Sequence, residues 1–217
     1  LKVLPGHHPE GVVDTSGRID PRSRINLWEY EQFLNNNLPD LVSKAPQKTL
    51  ALLCDILEES LEISKGEREP EFYDYSHVWR PAIEPHQQNW GHDVRDYLVS
   101  SIRDTSVAIL ERNPELLTDV VRMLEDRRWP VFRRVALYLI DKFGHKNFEV
   151  VVKKLRDKTL FDDVSLYHEY SRLVQDYFSQ LDQNDQEIIL NWIEKGPDLS
   201  YYINRVEKEE GNRPTED

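Results

Sequence analysis

The chain has 217 residues, enough to bury a sizeable core as one large domain or a short stack of repeats. Its net charge of −12 argues against general affinity for nucleic acid or an anionic membrane, and one cysteine excludes an internal disulfide and leaves a cysteine-ligated zinc site unsupported. Eight glycines disfavour an all-β fold with many tight turns, while five Trp, ten Tyr and seven Phe argue for packing rather than a solvated tail.

Residues 1–19 lack a sustained period, and Pro5, Gly6, Pro9, Gly11 and Gly17 interrupt them, so they read as a linker or arm. The start at Leu1 suggests a piece of a longer polypeptide. Asp20-Pro21 offers an N-cap followed by proline, which predicts a helix to about Asn36 whose apolar side is Ile25, Trp28, Phe33 and Leu34, with Tyr30 nearby. Pro39 and Pro46 split the next stretch. Gln47 to about Lys65 then carries a broad stripe of Leu50, Leu52, Leu53, Ile56, Leu57, Leu61 and Ile63, with Cys54 beside it.

Residues 66–91 hold Pro70, Pro81 and Pro85 and close on Gly91. A connection of this length is uncommon in a compact domain. Its Phe72, Tyr73, Tyr75, Trp79, Ile83 and Trp90 predict an ordered loop that packs, with Trp79 and Ile83 buried. From Asp93, Val94, Leu98, Ile102, Thr105 and Ile109 fall at helical spacing. Asn113-Pro114 and Trp129-Pro130 open two further helices, and Gly144 stops the second. Phe148–Leu155, Val164–Leu181 and Ile188–Ile193 mark three more, the last ending at Gly196-Pro197. A short helix over 198–208 and a frayed tail over 209–217 complete the reading, so the domain is 20–208.

Short connections between helices force antiparallel neighbours, and the fold class expected is all-α, with helix pairs stacked as a short α-solenoid. NPELLTDVVRMLEDRRWPVFRRVALYLIDKFG resembles one HEAT-like unit, and LPDLVSKAPQKTLALLCDIL resembles a looser copy. Over 76–143, SHVWRPAIEPHQQNW, DVRDYLVSSIRD and PVFRRVALYLI resemble helical regions of large bacterial multidomain proteins that carry nucleotide-binding modules, some suspected in phage defence. That resemblance implies a helical sensor or scaffold within a larger machine and assigns no functional residue.

Candidate chemistry is sparse. His77, Glu84, His86, His92 and Asp93 crowd one segment, but without the i, i+4 histidine spacing of a helical zinc site, so no metal or cofactor is expected. Cys54 in LALLCDIL reads as a small core residue, His168-Glu169 lacks a second zincin histidine, and Asp162-Asp163 read as a helix cap. There is no phosphate loop, dinucleotide fingerprint or nucleophile elbow, and no catalytic residue is assigned.

Charge is uneven: 122–158 holds eleven Lys/Arg against five Asp/Glu, a balance of +6, so the remainder carries −12 − 6 = −18. Arg127, Arg128, Arg133 and Arg134 flank Trp129, a guanidinium-and-indole arrangement suited to phosphates or carboxylates. With Trp79, Arg80 and His86 of the loop they are the candidate contact residues. The expected function is a non-catalytic scaffold that binds another protein or another domain of its own chain. Nucleic-acid binding through 122–158 is the alternative, and an enzyme using the His77–Asp93 segment is the third. A reducing cytoplasm fits the cysteine usage, and no apolar run suits a membrane helix.

Overall fold

Helices occupy 78% of the described residues, well past the half expected of an all-α chain. The computed structural model describes residues 2–5, 21–65, 74–89, 93–196, 198 and 200. The expected helix over 198–208, the tail, and Phe72, Tyr73, Trp90, His92, His7 and His8 lie outside them. The chain order is β1 (Val3–Pro5), β2 (Pro21–Ser23), α1 (Leu27–Lys44), α2 (Pro46–Ser64), α3 (Ser76–Trp79), α4 (Val94–Arg112), α5 (Leu117–Glu125), α6 (Pro130–Phe143), α7 (Phe148–Leu155), α8 (Lys158–Asp162), α9 (Tyr167–Tyr177) and α10 (Gln183–Lys195).

Three expectations for the N-terminal third need correction. Pro21 does not open a helix. Residues 21–23 pair antiparallel with 3–5 in the register Val3↔Ser23, Leu4↔Arg22 and Pro5↔Pro21, and Val3 is buried against the core. The helix waits for Asn26, whose Oδ1 accepts the Glu29 N–H at 2.9 Å and so satisfies one of the four donors a helix start leaves open. Nor does Pro39 end α1, which continues to Lys44. The buried stripe is consequently Tyr30, Leu34 and Val42, with Leu38 packed beside it, while Ile25, Trp28 and Phe33 face outward.

α2 begins one residue earlier than expected, with Pro46 in its first turn. Leu50, Leu53, Cys54, Ile56, Leu57 and Leu61 are buried, whereas Leu52 is exposed. α4 packs on α1, α2 and α6, and α6 also packs on α5 and α9, so α4 and α6 form the centre of the molecule. Their near-continuous apolar runs fit that position: Val94, Leu98, Ile102, Thr105 and Ile109 of α4 are all buried, as are Val131, Phe132, Val135, Ala136, Leu139 and Ile140 of α6. At the end of α6 a short 3-10 turn, 144–146, brings Gly144 against Val151 and Tyr177. Gly196 ends α10 at φ +74°, a left-handed value that glycine adopts without strain. No helix among the described residues is long and apolar enough to cross a membrane.

Candidate functional site

The segment 74–89 crosses the α4/α6 centre with only one turn of helix, α3, so most of its backbone groups need partners outside regular structure. Arginines supply them. Four successive carbonyls are capped by guanidinium groups: Arg80 O by Arg134 Nη1 (2.7 Å), Pro81 O by Arg134 Nη2 (3.2 Å), Ala82 O by Arg80 Nε (3.0 Å) and Ile83 O by Arg103 Nη1 (2.9 Å). The Ala82 N–H donates to Asn89 Oδ1 at 3.3 Å and the Ile83 N–H to Glu169 Oε1 at 3.2 Å.

Buried cations require anions, and each of these arginines has one, buried for Arg134 and Arg80 and exposed at the surface for Arg103. Glu169 takes a two-pronged bond from Arg134, Nε to Oε2 and Nη2 to Oε1, both 2.8 Å, with the two side chains 0% and 1% exposed. Arg80 lies 3.6 Å from the Asp96 carboxylate with both nearly water-free. Arg103 donates to both oxygens of Asp104, at 2.7 and 3.0 Å. At the start of the segment, Asp74 Oδ1 accepts the Ser76 N–H and Oδ2 the Val131 N–H, each at 2.8 Å, while its carbonyl accepts Trp79 Nε1 at 2.7 Å. Burial drives the Asp74 carboxyl upward in pKa despite these bonds. Next to it Tyr75 sits at φ 51°, a strained value for a side-chain-bearing residue that the flanking Asp74 bonds hold in place.

The expected packing of the loop is met fully at Ile83, which has no exposed surface, and in part at Trp79, which is half-buried with Arg95 stacked 5.0 Å from its ring. Towards the surface, Glu84 Oε1 accepts His168 Nε2 at 2.9 Å and Arg172 Nη1 at 2.7 Å. Burial pushes the Glu84 pKa up, but these two bonds outweigh it and leave the carboxyl below its ordinary range. Arg172 also reaches towards Asp141 at 4.0 Å. Burial and the facing Asp176 push the Asp141 carboxyl up to about 6.

Of the crowded His77–Asp93 segment, the described members do not converge. Asp93 caps α4 by accepting the Arg95 N–H at 2.6 Å, and His86 Nδ1 accepts the Gln88 N–H at 3.2 Å within a turn. Glu84 instead meets His168 and Glu169, with one potential ligand atom from each within 4.8 Å of the others. This donor set does not fit a cation: both Glu169 oxygens are taken by Arg134, and Arg172 stands on Glu84, so an ion would face two guanidinium groups.

The remaining contact candidates separate. Arg80, Trp129 and Arg134 are buried. Arg127 bonds Asp55 at 2.6 Å and also Glu58, tying α2 to the turn before α6. Arg133 lies 3.9 Å from Asp163; Arg128 and His86 are at the surface. Elsewhere in 122–158, Lys154 bonds Glu125 at 2.7 Å, Arg122 bonds Asp119 at 2.7 Å, and Arg156 bonds Asp185. Sequence reasoning missed Asp96, Arg103, Glu169 and Arg172. A signal for one existed: Glu169 occupies the same face as Leu173 and Tyr177, where a carboxylate is costly without a buried cation.

Comparison with known proteins finds no match: no protein-family model, curated relative or solved structure corresponds to the chain.

Proposed function

We propose that the chain is a non-catalytic helical interaction domain, built from HEAT-like helix pairs, that docks another protein or another domain of its own polypeptide. The contact surface is the ledge formed by 74–89 and the start of α9. One observation carries this reading: the ledge is pinned internally by three buried arginines, yet presents Val78 at 66% and Tyr167 at 71% exposure. α3 packs on the 164–166 turn, so Val78, Val164 and Tyr167 come from adjoining elements. Apolar side chains on a preordered surface lose little conformational entropy on binding, which favours their use as contact residues. The pairing of Arg122, Arg127, Lys154 and Arg156 with carboxylates leaves little uncompensated positive charge in 122–158 and weakens the nucleic-acid alternative.

Tyr167→p-benzoylphenylalanine in the native host tests it. Irradiation is expected to give a discrete adduct that Val78→Asp removes. Adduct no stronger than from the exposed α9 position Gln175 overturns the reading.

A further inference from the structure

A cleft of about 600 Å³ opens between α1 and α4; Arg80 and Asn89 of the 74–89 segment line it, but the exposed ledge residues Val78 and Tyr167 do not. α1 contributes Leu34, Leu38 and Val42 to one wall, and α4 makes the other wall polar. Several hydrogen-bonding groups on this lining are not used by the fold. Thr105 is 3% exposed and Ser101 is 8% exposed, and neither hydroxyl has a partner among the described residues. Pro39 has no N–H, so the Asn35 carbonyl one turn earlier loses its helical donor, and both residues line the cleft. The Asn35 carboxamide stands at the same place.

The buried charges of the lining, in contrast, are already met: Arg80 pairs with Asp96 and donates to Ser100 Oγ at 3.1 Å, while the exposed Asp104 at the rim is occupied by Arg103. An entering anion would meet the carboxylates of Glu31, Asp96 and Asp104; an entering cation would meet Arg80 and Arg112. Neither finds a free countercharge at depth, so a charged ligand would lose its hydration without compensation. A neutral ligand with hydroxyl groups fits better. A hydroxyl both donates and accepts, and so can answer Ser101, Thr105 and the Asn35 carbonyl together. The volume lies within the range of small-molecule sites, and the half-buried Tyr97 offers an amphipathic ring at the edge.

We propose that this cleft binds a small, uncharged, polyhydroxylated ligand of mono- to disaccharide size, held by Thr105, Ser101 and Asn35. A free sugar and the end of an attached sugar chain share this chemistry. The test is saturation-transfer nuclear magnetic resonance on the full chain with glucose, trehalose, cellobiose, maltose and maltoheptaose as probes. At least one is expected to receive saturation. Equal affinity for maltose and maltoheptaose supports a free sugar, and preference for the longer chain supports an attached one. Thr105→Val keeps the side-chain shape and removes a hydroxyl that no described residue uses. It is expected to weaken binding about tenfold, the equivalent of one hydrogen bond, while leaving the thermal midpoint in place. Ser101→Ala should act likewise. No transfer to any probe, unchanged transfer in both variants, or displacement of the sugar by inorganic phosphate or spermidine overturns the proposal.

Discussion

Arg134→Ala removes four hydrogen bonds at once: two to Glu169 and one each to the carbonyls of Arg80 and Pro81. Glu169 would be left as a buried carboxylate whose only remaining partner among the described residues is the Ile83 N–H. Removing one member of a buried ion pair costs about 3–5 kcal/mol. Each orphaned carbonyl adds about 1 kcal/mol unless water reaches it. Against a total stability of about 5–15 kcal/mol this is a large fraction. With a urea slope of about 2–3 kcal/mol/M, the unfolding midpoint should fall by about 2 M. Circular dichroism and tryptophan fluorescence, recorded together in urea, measure it. The double variant Arg134→Met with Glu169→Leu removes the stranded charge and should recover part of the loss. It still leaves the Ile83 N–H and two carbonyls unmet, so it should stay about 2 kcal/mol below the parent. A single-variant shift below about 0.5 M, or a double variant as stable as the parent, would refute the claim that arginines satisfy this segment's backbone.

Asp141 gives a pH prediction. Its carboxyl is near 6 when folded against an ordinary 3.8, so between those values the folded chain holds a proton that the unfolded chain has released. Stability attributable to this group is therefore present at low pH and falls as pH rises towards 6; Asp141→Asn should flatten the slope in urea midpoints measured across that window. Burial pushes the Cys54 thiol up to about 12, so iodoacetamide should label it only after denaturation, and rapid native labelling would contradict the buried placement. Gly144→Ala would drive a Cβ into Val151 and to 3.2 Å from the Tyr177 hydroxyl. A loss of about 1–3 kcal/mol is expected in chemical unfolding, and a neutral effect would show that the 144–146 turn relaxes freely.

The helical class was readable because apolar spacing near 3.6 persists from Asp93 to Ile193, and the boundaries at Pro46, Pro130 and Gly196 follow from backbone chemistry. The N-terminal strand pair was not readable. Val3–Pro5 and Pro21–Ser23 are three residues each, and their pairing depends on burying Val3 against α2. Pro39 misled because a proline inside a helix is unfavourable locally, while the Tyr30–Leu34–Val42 stripe on both sides of it is buried by tertiary packing. The paired arginines were visible as a cluster, but their destinations were not. Arg127 reaches Asp55 and Arg134 reaches Glu169, residues 72 and 35 positions away, and such contacts are set by how α2 meets the turn before α6 and how α9 meets α6. The cleft is likewise a product of two helices far apart in sequence.

Native-state hydrogen exchange at the Ile83 and Val131 amides tests most directly whether the ledge is ordered before any partner arrives. Ile83 donates to Glu169 and Val131 to Asp74, so both amides report the side-chain network rather than a helix ladder. If the network pins the segment, both should exchange as slowly as core amides of α6, such as that of Leu139, in the isolated chain. Exchange of the Ile83 amide on the timescale of an open loop, with Leu139 still protected, would contradict the account.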